Sequence, residues 1–225
     1  MPVGVALAIG LGSAIADEQA KTILEKVSKF FESAETMAIV GGVVLYLTER
    51  HDRKQRKHYE AWQVIDAAQG IKTSYARIKA LEDLNEDGVS LEGLDLSNTN
   101  LRGINLRFAD LSYTNLSGAD LYEADLSGAN LFQADLNKAD MSEVDLNNAS
   151  LVATNLNCTN LSNADLTNAS LIDTELNRTN LFEANLSNAS LKDSLGNDLD
   201  LKTAFLCSTI MPDGKVSYRD CPDMP

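Results

Sequence analysis

The sequence predicts a β-solenoid, with helices before it and a short closing segment after it. Three observations carry this reading. From Leu91 to Leu191 every fifth residue is apolar, and all but Met141 are leucine. A small or apolar residue stands two places before each of them, as at Ala119, Ala124, Ala129 and Ala134. Longer matches recur at a spacing of twenty: Asn-Ala-Ser-Leu occupies 148–151, 168–171 and 188–191, and Thr154 is matched by Thr174.

Period five suits neither ordinary element. A helix turns about 100° per residue, so a five-residue step drifts by about 140° and makes no stripe. A strand alternates faces, so an odd step sends successive leucines to opposite sides. A coil that turns one corner every five residues brings each leucine to the same interior. The twenty-residue matches predict four pentapeptides per coil, one per side. Ala or Thr and then Leu point inward. The Asp or Asn between them points outward, where its side chain suits a repeated turn by bonding nearby backbone. Roughly six coils stacked at about 4.8 Å give a rod about 29 Å long. Gly196 misses the leucine position, and Leu201 and Leu206 resume it.

These residues resemble the pentapeptide-repeat family, whose consensus Ala-Asp/Asn-Leu-x-x is met at Ala119-Asp120-Leu121 and Ala129-Asn130-Leu131. The resemblance implies a right-handed quadrilateral β-helix over 89–206. Early coils depart from the consensus, with Leu94, Thr99 and Ile104 where Ala is usual.

Residues 1–57 are expected to form N-terminal helices. Residues 1–16 are small and apolar but lack a basic start, which argues against a signal peptide. Residues 17–33 read as an amphipathic helix. The apolar run Met37–Leu47 is followed at once by Arg50, Arg53, Lys54, Arg56 and Lys57. That order suits a membrane segment over 34–49 with a cytoplasmic basic flank. The uninterrupted run is short, as in a buried or interfacial helix. Ala34, Ala38 and Gly42 are small at every fourth place. Residues 58–88 read as two helices, one from His58 to Ala68 carrying Tyr59, Trp62 and Ile65, and one over 73–84 carrying Ile78, Leu81 and Leu84. A solenoid exposes a bare apolar cross-section at its first coil, and these helices are placed to cover it. The segment also resembles one that precedes the repeats in several cyanobacterial members of the family, which implies a cyanobacterial source. Residues 207–225 form a C-terminal cap in which Asp213-Gly214 turns the chain back toward the rod. Cys207 and Cys221 are a candidate disulfide stapling that cap, and similar endings occur in the family. If this end faces the cytosol, two reduced thiols are expected instead.

The net charge of −14 argues against direct nucleic-acid binding, which needs Lys and Arg to neutralise phosphates. There is no phosphate loop, zinc spacing or nucleophile elbow, and the Asp residues are explained by their outward turn position. No enzyme activity, cofactor, metal or small-molecule substrate is expected. With twenty residues per coil, Phe132, Val152 and Ile172 fall in one outward column with Tyr113 beside it. Apolar residues in register mark interfaces more often than scattered ones do. The residues therefore point to a non-enzymatic scaffold or protein-interaction module, tethered to a membrane through 34–49, with a protein partner such as a membrane complex. The rod would lie on the cytoplasmic side of a plasma or thylakoid membrane, or else be soluble in the cytoplasm. The alternative is DNA mimicry, since the resemblance implies that some family members present an acidic rod to DNA gyrase. Against it stand a centre of Leu where those proteins tend to carry Phe, and a C-terminal end that looks capped.

Overall fold

The computed structural model describes residues 25–26, 34–196 and 199–222. The apolar segment 1–16 and, apart from Glu25 and Lys26, the expected helix 17–33 lie outside the described residues. The chain divides into two units, 1–57 and 58–225.

Helix α1 runs Ala34–Ala67. It passes without a break through the basic stretch, so the helix expected to begin at His58 is the C-terminal part of α1. The reason is local: neither Gly nor Pro occurs between Val43 and Gln69 to stop it. Tyr59 is exposed at 65%, whereas Ile65 is buried and Trp62 packs against the core. Helix α2 runs Tyr75–Glu86, and Ser74 caps it by accepting a hydrogen bond from the Arg77 amide at 3.2 Å. Leu81 and Leu84 are fully buried beneath it.

The rod follows. Asp95 pairs with Asn115, Asn115 with Asp135, Asp135 with Asn155, and the other three sides repeat the pattern, always parallel and one twenty-residue coil apart. Leucine amides donate to the next coil, as Leu131 does to the Ser150 carbonyl at 2.7 Å. The leucines and Met141 are almost wholly enclosed, as are the alanines two places before them. Thr99 and Ile104 take the same inward place in the first coil, while Leu94 is half-buried. Inward threonines satisfy their hydroxyls on backbone: Thr154 Oγ1 donates to the Leu131 carbonyl and Thr159 Oγ1 to that of Leu136, both at 2.7 Å. A buried hydroxyl without such a partner is costly.

Corners are built from two devices. The outward Asp or Asn accepts from the amide two residues on, as Asp95 does from Ser97 at 3.0 Å and Asn155 from Asn157 at 3.1 Å. The second residue after each leucine has positive φ, from Phe108 (56°) to Asp193 (59°). That is the pattern of a type II turn, which favours glycine or asparagine at this place. Most occupants are not glycine, so ladder bonds on both sides must hold them in an unfavourable conformation.

Both ends of the ladder are closed by specific donors and acceptors. At the first coil, Asn100 donates its amide to the Lys72 carbonyl at 2.7 Å, Glu82 accepts from the Asn105 amide at 3.1 Å, and Asn85 Nδ2 donates to the Arg107 carbonyl at 3.0 Å. These edge groups would otherwise be open for pairing with another chain. At the last coil, strands β1 (Thr209–Ile210) and β2 (Val216–Ser217) pair antiparallel around a turn at Gly214, whose φ is 79°. Asp220 then accepts from the Leu206 amide at 2.8 Å and returns its own amide to the Leu206 carbonyl at 3.0 Å. Cys207 and Cys221 are bonded, with a Cα–Cα distance of 4.7 Å, and Cys158 is free and exposed. Denatured, unreduced protein should therefore alkylate at Cys158 alone; three alkylated cysteines by mass would contradict the bridge. Closing a loop of this size contributes about 3 kcal/mol in the chain-entropy view, so Cys207→Ser should loosen the hairpin before the rod melts.

Candidate functional site

The coil geometry sorts outward side chains into four columns, each following from position in the repeat. The first combines Phe132, Val152 and Ile172 at the residue after leucine, with Tyr113 at the positive-φ place of its coil. Phe132, Val152 and Ile172 are half-buried, while Tyr113 is 52% exposed. Tyr113 and Phe132 meet edge to face, with ring centroids 5.5 Å apart and planes at 87°. The backbone fixes the pair, because the Tyr113 amide donates to the Phe132 carbonyl at 2.9 Å. Val152 and Ile172 continue in the same register, since Ser150 pairs with both Asn130 and Ser170. The result is a narrow apolar strip, less exposed than the sequence alone suggests.

A second column is acidic and aromatic. Arg102 lies over the Tyr122 ring, 4.1 Å from its centroid, and forms an ion pair with Asp120 at 3.5 Å. The Tyr122 hydroxyl is pushed up to about 12, first by its hydrogen bond to the Glu123 carboxylate, then by desolvation and the charges of Glu123 and Glu143. Glu143 and Glu183 extend the column. A third column is bland. It carries Asn137, Asn157 and Asn177, tied by side-chain bonds such as Asn177 Nδ2 to Asn157 Oδ1 at 2.8 Å. The fourth is led by Phe108, 73% exposed. Its ring lies over Gly128, where an added Cβ would run into ring carbons Cδ1 and Cε1. Sequence position did not reveal this contact or the Arg102–Tyr122 stack. Ser127, the residue after Leu126, is buried with its hydroxyl donating to Asp125 at 2.7 Å.

Carboxylates at corners are occupied structurally. Hydrogen bonds from the Ser112 hydroxyl, and further ones from Ser90 and Asn130, hold Asp110 below the usual carboxylate range, and the Ser97 amide does the same for Asp95. Among the described residues, no group of three or more His, Cys, Asp or Glu could hold a metal ion. Also among the described residues, no helix is long and apolar enough to cross a membrane.

The pentapeptide-repeat family model matches residues 90–128, 124–159 and 159–195, with eight copies. A pentapeptide repeat protein of the Arabidopsis thaliana thylakoid lumen is 32% identical over 46% of this chain and 69% of its own, at a TM-score of 0.36. HetL of Nostoc sp. strain PCC 7120, a pentapeptide repeat protein involved in heterocyst differentiation regulation, is 33% identical over 57% of this chain and 73% of its own, at a TM-score of 0.31. This chain belongs to the pentapeptide-repeat family. A plasmid-mediated fluoroquinolone resistance protein, QnrB1, is 19% identical over 52% of this chain and 70% of its own, at a TM-score of 0.40. No curated protein matches the chain. In this pentapeptide-repeat protein the coil residues that define the family are consumed by the fold, so whatever distinguishes it must reside in the columns and the flanking segments.

Proposed function

We propose that this protein is a non-enzymatic scaffold, attached to a membrane through its N-terminal helix, that docks a protein partner on one side of a rigid rod. The rod is read as a right-handed, four-sided β-helix, and the twenty-residue ladder supports the four sides. The observation that carries docking is the strip of Tyr113, Phe132, Val152 and Ile172. Its members are apolar at places where the same chain elsewhere uses Ser or Asn, as at Ser142 and Asn137. A partner that desolvated the strip would gain from an aromatic anchor, and losing such anchors typically costs an interface about 2 kcal/mol or more. Attachment is supported by the exposed apolar stretch of α1 and the cations behind it. That stretch is too short to cross a bilayer, so the reading is insertion into one face.

The triple change Phe132→Ser, Val152→Ser and Ile172→Ser should leave the fold intact. It should remove a partner that co-purifies with the wild-type chain, while a matched change to Ser at Asn137, Asn157 and Asn177 should not. Equal recovery with both variants would return the strip to scattered surface apolars. A second reading, DNA mimicry toward gyrase or another DNA-binding protein, is favoured by the acidic column at Glu123, Glu143 and Glu183. It stands second because the interior is leucine and the C-terminal coil is covered by the bridged hairpin.

A further inference from the structure

Within the first unit, α1 carries two exposed segments whose angular layouts differ. At 100° per residue, Ile39, Val43, Val44, Leu45, Tyr46 and Leu47 point to all sides of the helix. All six are exposed, between 51% and 66%. A protein groove covers one stripe of a helix and leaves the rest wet, but a helix apolar all round needs an apolar medium all round.

The basic segment is arranged differently. Because α1 continues through it as helix, Arg50, Arg53, Lys54 and Lys57 fall at i, i+3, i+4 and i+7, on one face. Arg56 and Asp52 lie off that face, while Glu49 sits at its edge beside Arg53. The Arg53–Glu49 ion pair, 3.9 Å long with both side chains about two-thirds exposed, is a weak surface pair. A one-sided cationic stripe directly following an all-round apolar segment matches a surface that is apolar within and negatively charged at its boundary.

We infer that the Arg50, Arg53, Lys54 and Lys57 face binds anionic lipid headgroups, so that attachment selects anionic bilayers over neutral ones. The inference rests on the membrane reading above and adds the lipid class. Near an anionic surface each Lys or Arg contributes about a fivefold gain in partitioning. The four together should contribute on the order of a hundredfold or more at low salt, falling as salt screens the surface.

The test is flotation of the full chain with vesicles of phosphatidylcholine alone and with an equal mixture of phosphatidylcholine and phosphatidylglycerol. The full chain should float with the mixed vesicles far more than with neutral ones. The combined change Arg50→Gln, Arg53→Gln, Lys54→Gln and Lys57→Gln should remove that preference. The combined Arg50→Lys and Arg53→Lys change, which keeps the charge, should retain it. Equal flotation with both vesicle types, unaltered by the glutamine changes, would overturn headgroup selection and leave membrane attachment standing. Flotation with neither would overturn attachment as well. Duplex DNA competing the chain off mixed vesicles at physiological salt would reassign the stripe to a nucleic-acid backbone.

Discussion

Leu151→Asp should unfold the middle of the rod. Leu151 is fully enclosed, its amide donates to the Ser170 carbonyl at 2.7 Å, and its carbonyl accepts from Thr154. Truncating a buried leucine alone costs about 2–5 kcal/mol. A carboxylate in its place adds an unpaired charge with no cation inside the coil to meet it, so the loss should exceed about 5 kcal/mol. Each coil bonds only its neighbours, so damage should spread from 151 toward both ends rather than stay at one side chain. Leu131→Asp should behave alike. Asn168→Asp, at an exposed corner with a φ of 60°, should lie within about 0.5 kcal/mol of wild type, because Asp tolerates that conformation. Chemical unfolding followed by far-ultraviolet circular dichroism separates the two classes. Equal melting of both would mean that the five-residue inward register is wrong.

The second large effect is expected at Arg77. Arg77 is 1% exposed, and among the described residues no carboxylate pairs with it. Instead the guanidinium donates to three carbonyls of the turn between the helices: Ala68 at 2.8 Å, Ile71 at 3.0 Å and Lys72 at 3.1 Å. The Lys72 carbonyl also accepts from Asn100 in the first coil, so the fork holds the turn against the rod. Arg77→Ala would leave these acceptors without the charged donor, at a cost of about 3–5 kcal/mol in hydrogen bonds to a charged group. Lysine should not rescue it, since a single ammonium cannot fork to three carbonyls in a plane. Amide exchange across residues 91–110 should accelerate in both variants, with the later coils following only near the melting transition. Native-like exchange in Arg77→Lys would show that charge alone, rather than the fork, holds the cap.

Why the rod was legible and the polar bonds of the cap were not follows from how each is encoded. An inward leucine repeated every five residues leaves one solution, so the core from Leu91 to Leu191, the outward Asp and Asn turns and the return at Gly214 could all be read directly. The cap depends on single long-range polar bonds. Glu82 meeting the Asn105 amide, Asn85 meeting Arg107 and Arg77 meeting three carbonyls carry no period, and a polar residue on a short helix reads as solvated until its partner is known. The continuity of α1 was missed because composition changes at Arg50 while no stop residue does. The columns were half legible. Register put Phe132, Val152 and Ile172 together, but nothing in the sequence distinguishes Phe108 resting on Gly128, or buried Ser127, from other residues at the two places after a leucine.

The most direct test of the docking claim is site-specific photocrosslinking from two places in the same coil, with the full chain in its native membranes. A photoreactive side chain replaces Val152 in one version and Asn157 in the other. Both positions follow a leucine and are half-buried, on adjacent sides of the rod. The account expects a discrete crosslinked protein from position 152 and none from 157. The same adducts from both positions, or adducts from 157 alone, would contradict it.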